Sequence, residues 1–264
     1  MWKSPLRCKM PGPTHFLCLP LRSAELSSRL AAFKVDVTRA GDDDDGVAAI
    51  PEAAVRPPGT LHLTLGVMAL QDESLVQRAR DVLQSLRPGD LLRRIRLAEK
   101  KTAGEEGQAS PPPPPPPQLG EDGKLSLAFR GLQAMRRPDQ TSVLYVPPVD
   151  DEGQTLRRLC EELRSPFREA GLMTVDDDGR PLLLHATVVN TVYVRGKGKN
   201  KGKGKGKGGR GRLTFDGREV LARYEGFAWA ESVEVGEVAI CRMGAKKVGD
   251  EGDQAYEVEA EVAF

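Results

Sequence analysis

Residues 61–66 read LHLTLG and residues 184–191 read LHATVVNT, and these two stretches share one pattern from which the rest of the fold can be predicted. Apolar side chains alternate with a His-x-Thr pair in both, which is the period of a β-strand with one buried face. Residues i and i+2 of a strand point to the same side, so each histidine shares a surface with its threonine. The sequence therefore predicts two strands, each with its back in a core and a polar pair on its front, as in the wall of a cleft. The residues on these fronts are His62, Thr64, His185 and Thr187.

Two such pairs favour the cleavage of a phosphodiester without a metal. The unperturbed pKa of histidine allows both protonation states near neutral pH. One imidazole can therefore take a proton from water or a ribose hydroxyl while the other gives a proton to the leaving oxygen. Each threonine hydroxyl can donate a hydrogen bond to a non-bridging phosphate oxygen and stabilise charge in the transition state. Because the motifs are nearly equivalent, the pattern leaves open which histidine is the base.

Two alternatives compete with this interpretation. Two histidines can belong to a metal site, but such a site needs a third or fourth ligand. No carboxylate recurs at a fixed offset in both motifs, so we expect neither a metal nor a cofactor. The second alternative is a pair of structural histidines in unrelated strands.

The segments around the two motifs alternate between the periods of strands and helices. Strands are predicted at 15–21, 60–70, 91–98, 124–130, 141–147, 182–194, about 233–243 and 255–264. Helices are predicted after the caps Ser23 and Asp72, the second stopped by Pro88-Gly89, then over about 153–170 and from Asp216. The predicted buried stripes of the first three helices are Leu26, Leu30, Phe33 and Val37; Leu75, Ala79, Val82 and Leu86; and Leu156, Leu159, Leu163 and Phe167. The order of elements looks doubled, and it predicts an α+β fold dominated by its sheet.

Three segments of biased composition interrupt this pattern. Residues 41–46 read GDDDDG, residues 99–122 contain seven consecutive prolines, and residues 195–212 carry nine Lys/Arg without an acidic residue. We interpret them as inserts in a single domain that spans 14–264, with 1–13 as a disordered tail. The 264 residues contain 39 basic and 38 acidic side chains, so the near-neutral total averages a mildly acidic core with one basic insert.

The bulk composition excludes several classes of protein. No stretch reaches the roughly 18 apolar residues that a membrane span needs, and the first residues lack the apolar region of a secretory signal. The four cysteines are far apart and form no C-x-x-C pair, so a disulfide framework or a zinc module is not expected. We therefore expect an intracellular monomer, nuclear or cytoplasmic, without a membrane partner.

The paired motifs resemble those of the 2H phosphoesterase superfamily, which includes 2′,5′-RNA ligase-like proteins and cyclic phosphodiesterases. Within it, the chain is most similar to the A-kinase-anchoring-protein-type central domain, which also follows a KH module in a subunit of the activating signal cointegrator complex. The resemblance runs from residue 14 to the C-terminus. It rests on Thr14-His15-Phe16-Leu17, the two blocks 61–66 and 184–191, Val143-Leu144-Tyr145, and Phe215-Asp216-Gly217-Arg218.

The resemblance implies a two-lobed fold with a pseudo-two-fold axis, antiparallel sheets lining a central cleft, and helices outside. It implies that His62 and His185 are the catalytic pair and that Thr64 and Thr187 contact the phosphate. The implied substrates are a 2′,3′-cyclic phosphate, a 2′,5′-linkage or an RNA end, and proteins of a coactivator complex are candidate partners. A nucleotide- or RNA-binding module without activity, in a transcription or repair complex, is the alternative.

Four further residues are candidates for contact with the substrate, and each has a structural alternative. His15 opens a strand, where a structural role is the default, and Phe16 is equally ambiguous. Tyr145 could stack on a base, although a tyrosine in an apolar strand usually belongs to the core. Thr191 shares the predicted strand face of His185 and could line the cleft.

The basic insert, residues 195–212, has two interpretations that we hold equal. Alternating lysines between glycines suit contacts with RNA phosphates without reading sequence. A solvated loop within a hairpin is the alternative, because long loops add little entropy cost. The same composition is also compatible with a nuclear address.

Overall fold

The structure is a computed structural model that describes residues 12–39, 50–103, 125–150, 154–174, 181–194, 213–249 and 253–264, with the backbone alone at 100–103. The predicted inserts at 41–46 and 195–212, the proline run and most of the predicted N-terminal tail lie outside the described residues. Residues 99–103 of the predicted insert at 99–122 lie inside them.

Five α-helices and twelve strands form within the described residues. The helices are α1 (Ala24–Thr38), α2 (Glu73–Ser85), α3 (Pro88–Ala103), α4 (Thr155–Glu169) and α5 (Arg218–Arg223). The strands are β1 (His15–Pro20), β2 (His62–Met68), β3 (Leu125–Arg130), β4 (Gln133–Ala134), β5 (Val143–Val146), β6 (Pro148–Val149), β7 (Ala186–Asn190), β8 (Ala228–Val235), β9 (Glu237–Arg242), β10 (Lys246–Val248), β11 (Asp253–Ala255) and β12 (Val258–Ala263). None of these helices is long and apolar enough to cross a membrane.

The main sheet has seven strands in the order β12-β9-β1-β2-β7-β5-β4. Its neighbouring strands are antiparallel, and β2 and β7 meet at the centre through the single pair Leu63 and Ala186. The sheet therefore consists of two groups of strands, β12-β9-β1-β2 and β7-β5-β4, joined by one residue pair at the position of the two His-x-Thr motifs. A second sheet orders its strands β6-β3-β8, and β10 pairs with β11. This architecture confirms the predicted α+β fold with antiparallel sheets.

The two faces of the main sheet are buried differently. Alternate residues of β1 and β2, such as Leu17, Leu19 and Leu63, join the large core that includes the apolar stripes of the helices. Phe16 and Cys18 belong to a separate small cluster on the opposite face, with Ala239 and Cys241 of β9. Because the helices cover the first face, a ligand can approach the sheet only from the second face, which carries Phe16 and Cys18.

Local sequence explains the helices whose bounds and buried faces were predicted. Ser23 caps α1, where its hydroxyl accepts a hydrogen bond from the Leu26 amide at 3.3 Å, and the four predicted apolar positions of α1 are buried. All four predicted positions of α4 are buried as well. Asp72 caps α2 as predicted, and the predicted positions Ala79 and Leu86 are buried. The predicted positions Leu75 and Val82 are only partly buried, and Val76 and Leu83 take the buried places beside them.

The strand predicted at 91–98 is wrong, because this segment lies in α3. Pro88 stands at the first helical position, where its fixed φ favours a helix and its missing N–H is not needed. Leu92 and Ile95, nearly one helical turn apart, are both buried, whereas the alternation of a strand would have placed them on opposite faces. Pro88-Gly89 therefore begins a new helix as well as ending α2, and that helix reaches into the first residues of the predicted insert.

Two other predicted strands are shorter than expected. The segment at 233–243 instead contains the end of β8 and the whole of β9, which are separated at Gly236 and belong to different sheets. The strand at 182–194 is reduced to β7, because a 3₁₀ turn over Thr191–Tyr193 follows it. The Asn190 side chain accepts a hydrogen bond from the Val192 amide at 3.1 Å, and this local bond competes with the sheet ladder.

Candidate active site

The two His-x-Thr motifs lie side by side at the centre of the main sheet. Leu63 pairs with Ala186 across the junction of β2 and β7, and both side chains point into the core. Continuing this antiparallel register by one residue places each histidine opposite the threonine of the other motif, on the face away from the core. All four polar side chains are half-buried. The arrangement is a two-fold quartet of imidazoles and hydroxyls, in which each histidine shares its sheet face with the threonine of its own motif.

Both imidazoles are oriented by the same backbone contact. Nδ1 of His62 lies 2.8 Å from the carbonyl oxygen of Thr60, and Nδ1 of His185 lies 2.8 Å from that of Leu183. A carbonyl can only accept, so Nδ1 carries the hydrogen and donates it. Nε2 of each ring is therefore the nitrogen that can exchange a proton with a ligand.

Aromatic side chains pack against both imidazoles and hold the planes of their rings. The ring centroid of Phe16, from β1, lies 4.8 Å from that of His62, and Tyr256 contacts the same imidazole edge-on at 5.3 Å. Tyr145, from β5, contacts His185 at 5.3 Å. The structure thus places two of the candidate contact residues, Phe16 and Tyr145, beside the histidines, and both are buried.

The environment of His62 acts strongly on its protonation. The pKa of His62 is lowered to about 4, chiefly by burial and also by the nearby charges of His185 and Arg56, whereas the hydrogen bond to Thr60 opposes this shift. His62 is therefore neutral at physiological pH with an unprotonated Nε2. The sequence motif around His62 gives no sign of this shift.

Three residues beside the quartet were not singled out from the sequence. The guanidinium carbon of Arg56 lies 3.7 Å from the ring centroid of Tyr193. The side chain of Tyr256 interacts with those of Tyr193 and Arg56, and burial, supported by Tyr193 and opposed by Arg56, raises the pKa of Tyr256 to about 12. They lie outside the regular strands, so period-two alternation carries no signal for them.

The backbone beside the quartet explains how these residues reach it. Val55 forms a bridge with Val189, which aligns the segment that leads into β2 with the last residues of β7. A Cβ on Gly59 would lie 2.6 Å from the carbonyl oxygen of Gln254. Only glycine allows this close approach, and it brings the segment that carries Tyr256 over the start of β2.

The two remaining candidate contact residues lie elsewhere. His15 is 5% exposed; its Nε2 is 3.6 Å from Glu259, whose carboxylate also pairs with Arg80 of α2 on the helical face of the sheet. Thr191 is buried in the 3₁₀ turn, and its hydroxyl donates to the carbonyl oxygen of Leu213 at 2.6 Å. Both side chains have structural contacts, and neither is retained in the site.

The described residues contain no group of three or more His, Cys, Asp or Glu side chains that could hold a metal ion. Cys18 and Cys241 lie on the same sheet face as the quartet with their sulfur atoms 3.8 Å apart, and they are not bonded to each other.

Residues 13–264 match the model of the AKAP7 2′5′ RNA ligase-like domain. The chain belongs to this family. An uncharacterised protein of Schizosaccharomyces pombe is 25% identical over 243 residues, which cover 92% of this chain and 91% of that protein. Subunit 1 of the activating signal cointegrator 1 complex of Mus musculus is 26% identical over 221 residues, or 81% of this chain, but the match spans only 54% of the mouse protein.

This 2′5′ RNA ligase-like domain also aligns with solved structures of LigT from E. coli. The complex with 3′-AMP is 16% identical, with a TM-score of 0.46 over 96% of this chain and 98% of that one. The complex with ATP is 15% identical, with a TM-score of 0.45 over the same shares.

Proposed function

We propose that this chain is a metal-independent phosphodiesterase for RNA-derived substrates, namely a 2′,3′-cyclic phosphate, a 2′,5′-linkage or a phosphodiester at an RNA end. The single observation that carries the proposal is the quartet, in which two imidazoles with available Nε2 atoms each face a hydroxyl of the other motif. Binding alone does not need two groups that exchange protons, whereas acid–base catalysis does.

His62 acts as the general base and His185 as the general acid. With a cyclic phosphate, Nε2 of His62 takes a proton from water while the water oxygen attacks phosphorus. The bond from phosphorus to the leaving ribose oxygen breaks, and Nε2 of His185 gives its proton to that oxygen. Thr64 and Thr187 donate to the non-bridging oxygens, where negative charge increases. Support for this order comes from the low pKa of His62, which keeps it able to accept a proton.

We extend the proposal to the parts of the chain outside the quartet. Residues 14–264 form one domain, consistent with the family match over 13–264, and the basic residues of 195–212 hold an RNA strand that enters the site. The scattered cysteines of the sequence are the basis for an intracellular location, in the nucleus or the cytoplasm.

The test is a panel of 2′,3′-cyclic, 2′,5′-linked and 3′,5′-linked substrates, assayed with EDTA for the wild type, His62→Ala and His185→Ala. We expect turnover of at least one substrate in EDTA and a loss of about 10²- to 10⁴-fold in each variant. The matched control is His15→Ala, which removes a buried histidine outside the quartet and should retain its specific activity once the folded fraction is measured by thermal unfolding. Turnover that EDTA abolishes would contradict the proposal.

A binding module without activity is the second candidate, and the similarity to a subunit of a cointegrator complex favours it. The same panel separates the two. Nucleotide binding by the wild type without turnover of any substrate would favour the module, with the protein partners of a coactivator complex as the next test.

A further inference from the structure

A buried arginine beside the quartet has no counter-ion among the residues that the structure describes. Arg56 is 5% exposed, and its Nη2 atom is buried without a hydrogen-bond partner in the described part of the chain. Its side-chain contacts there are the ring of Tyr193 and the side chain of Tyr256, both uncharged. Burying a charge without a charged partner is unfavourable. Binding of an anion would therefore stabilise this guanidinium.

The position of Arg56 connects it to the reacting groups. Tyr256 interacts with Arg56 and contacts the ring of His62 at 5.3 Å, so one side chain connects the guanidinium to the imidazole. The Arg56 amide donates to the carbonyl oxygen of Val188 at 2.8 Å, which ties the residue to β7. Arg56 is therefore held between the two motifs by the backbone, as a residue of a binding site must be.

We propose that Arg56 binds a phosphate group of the substrate and supplies a permanent positive charge beside the quartet. The inference rests on the proposed function, because a phosphodiester brings the missing anion to this cleft. The N–H groups of a guanidinium point outward in its plane, whereas Tyr193 contacts its face, so stacking leaves the forked donors for phosphate oxygens. The phosphate is either the reacting one or the next one along the strand.

The aromatic side chain that contacts Arg56 is the most exposed of those named beside the quartet. Tyr193 is 40% exposed and belongs to the 3₁₀ turn that follows β7. Phe16 and Tyr256, by contrast, are held in the contacts around His62. A ligand that approaches the N–H edge of the guanidinium past Tyr193 therefore leaves the core intact.

The experiment measures binding by calorimetry, so that it does not depend on turnover. The probes are adenosine, adenosine 3′-phosphate and adenosine 3′,5′-bisphosphate, each titrated into the wild type, Arg56→Met and Arg56→Lys. The matched control is Arg130→Met, which removes an exposed arginine paired with Glu231. Arg56→Met should bind at least one phosphate ligand about tenfold to a hundredfold more weakly, with adenosine unchanged and the control like the wild type.

The pattern of losses identifies the phosphate. An equal loss for both phosphate ligands assigns Arg56 to the reacting phosphate, and a loss for the bisphosphate alone assigns it to the neighbouring one. Binding of both within twofold of the wild type overturns the proposal. If Arg56→Met does not fold, Arg56→Lys decides by the same criterion, because lysine keeps the charge but lacks the forked donors. A wild type that binds the phosphates through Arg56 but turns over no substrate would contradict the proposed function and leave this inference standing.

Discussion

At the scale of single residues, the environment makes two nearly identical motifs unequal. Each histidine has the same backbone partner two residues earlier, so their orientation is alike. The ring of His62 is enclosed by Phe16 and Tyr256 and lies near the charge of Arg56, and its pKa is lowered accordingly. The sequence left the base and the acid unassigned because this enclosure is built from distant segments.

The pH dependence of activity tests the assignment of His62 as the base. A base must be unprotonated, so its contribution is present above its pKa and is lost as the pH falls through about 4. We expect kcat/KM to decline by about tenfold per pH unit below that point, and the C–H resonances of the His62 ring to titrate in the same range by NMR. A rate that rises as the pH falls toward 4 would instead make His62 the acid.

The same low pKa affects folding. The unfolded chain binds a proton at His62 near pH 6.5, whereas the folded chain does so only near pH 4. The stabilising contribution of neutral His62 is therefore complete above pH 6.5 and decreases as the pH falls toward 4.

The two threonines test the role of the hydroxyls. Thr64→Ala and Thr187→Ala should each lower kcat/KM by roughly tenfold to a hundredfold, because a hydrogen bond to a charged oxygen is lost. Thr64→Ser and Thr187→Ser keep the hydroxyl and serve as matched controls with near-normal rates. Equal loss in the serine and alanine variants would mean that the methyl group, not the hydroxyl, is what matters.

At the scale of elements, a turn beside β2 positions part of the site. The amide of Gly59 donates to the Asp253 carboxylate at 3.2 Å, and any side chain at position 59 would strike the Gln254 carbonyl. β11 therefore packs directly on this turn and carries Tyr256 to His62.

Gly59→Ala tests whether this contact matters for catalysis. The new methyl group forces β11 away, which should destabilise the fold by about 1–3 kcal/mol and lower kcat/KM about tenfold or more through the displacement of Tyr256. Gly226→Ala is the matched control, because a Cβ there meets nothing within 4 Å and its φ is not positive. The measurements are thermal unfolding and kcat/KM for both variants; equal activity in the two would show that the approach of β11 is not needed.

Elements could be predicted from the sequence wherever a strong local pattern agreed with the fold. The local sequence contains the cap of α1 and the apolar stripes of α1 and α4, and the predicted faces of both helices are the buried ones. The prediction of a strand for the segment that forms α3 was wrong, because its short apolar run fits the period of a strand as well as that of a helix. The proline before it was interpreted only as a stop signal, although proline also favours the first turn of a helix.

At the scale of the whole molecule, the basic residues of 195–212 dominate the charge distribution. The described chain on either side comes together, since the Thr191 hydroxyl donates to the Leu213 carbonyl at 2.6 Å. A replacement of residues 196–211 by a short neutral linker therefore joins ends that are already adjacent.

That replacement tests the proposed role in RNA binding. Affinity for long RNA should fall, and the slope of log affinity against log salt should become shallower by up to about 5, because seven cations are removed. Turnover of a dinucleotide should not change. A variant of full length with its lysines and arginines changed to glutamine separates charge from length, and an unchanged salt dependence in it would favour the solvated loop.

The strand and helix periods and the two His-x-Thr pairs could be predicted from the sequence alone, because each lies within one short stretch, and the family followed from several such stretches along the chain. Only the folded chain shows which histidine is enclosed, which face of the sheet remains open, and that Arg56, Tyr193 and Tyr256 lie beside the quartet. These residues come from segments that are distant along the chain and meet only through the register of β2 with β7 and the packing of β11 on Gly59. Local alternation records the face on which a side chain lies, but the partner that it meets there depends on strands that pair across the whole chain.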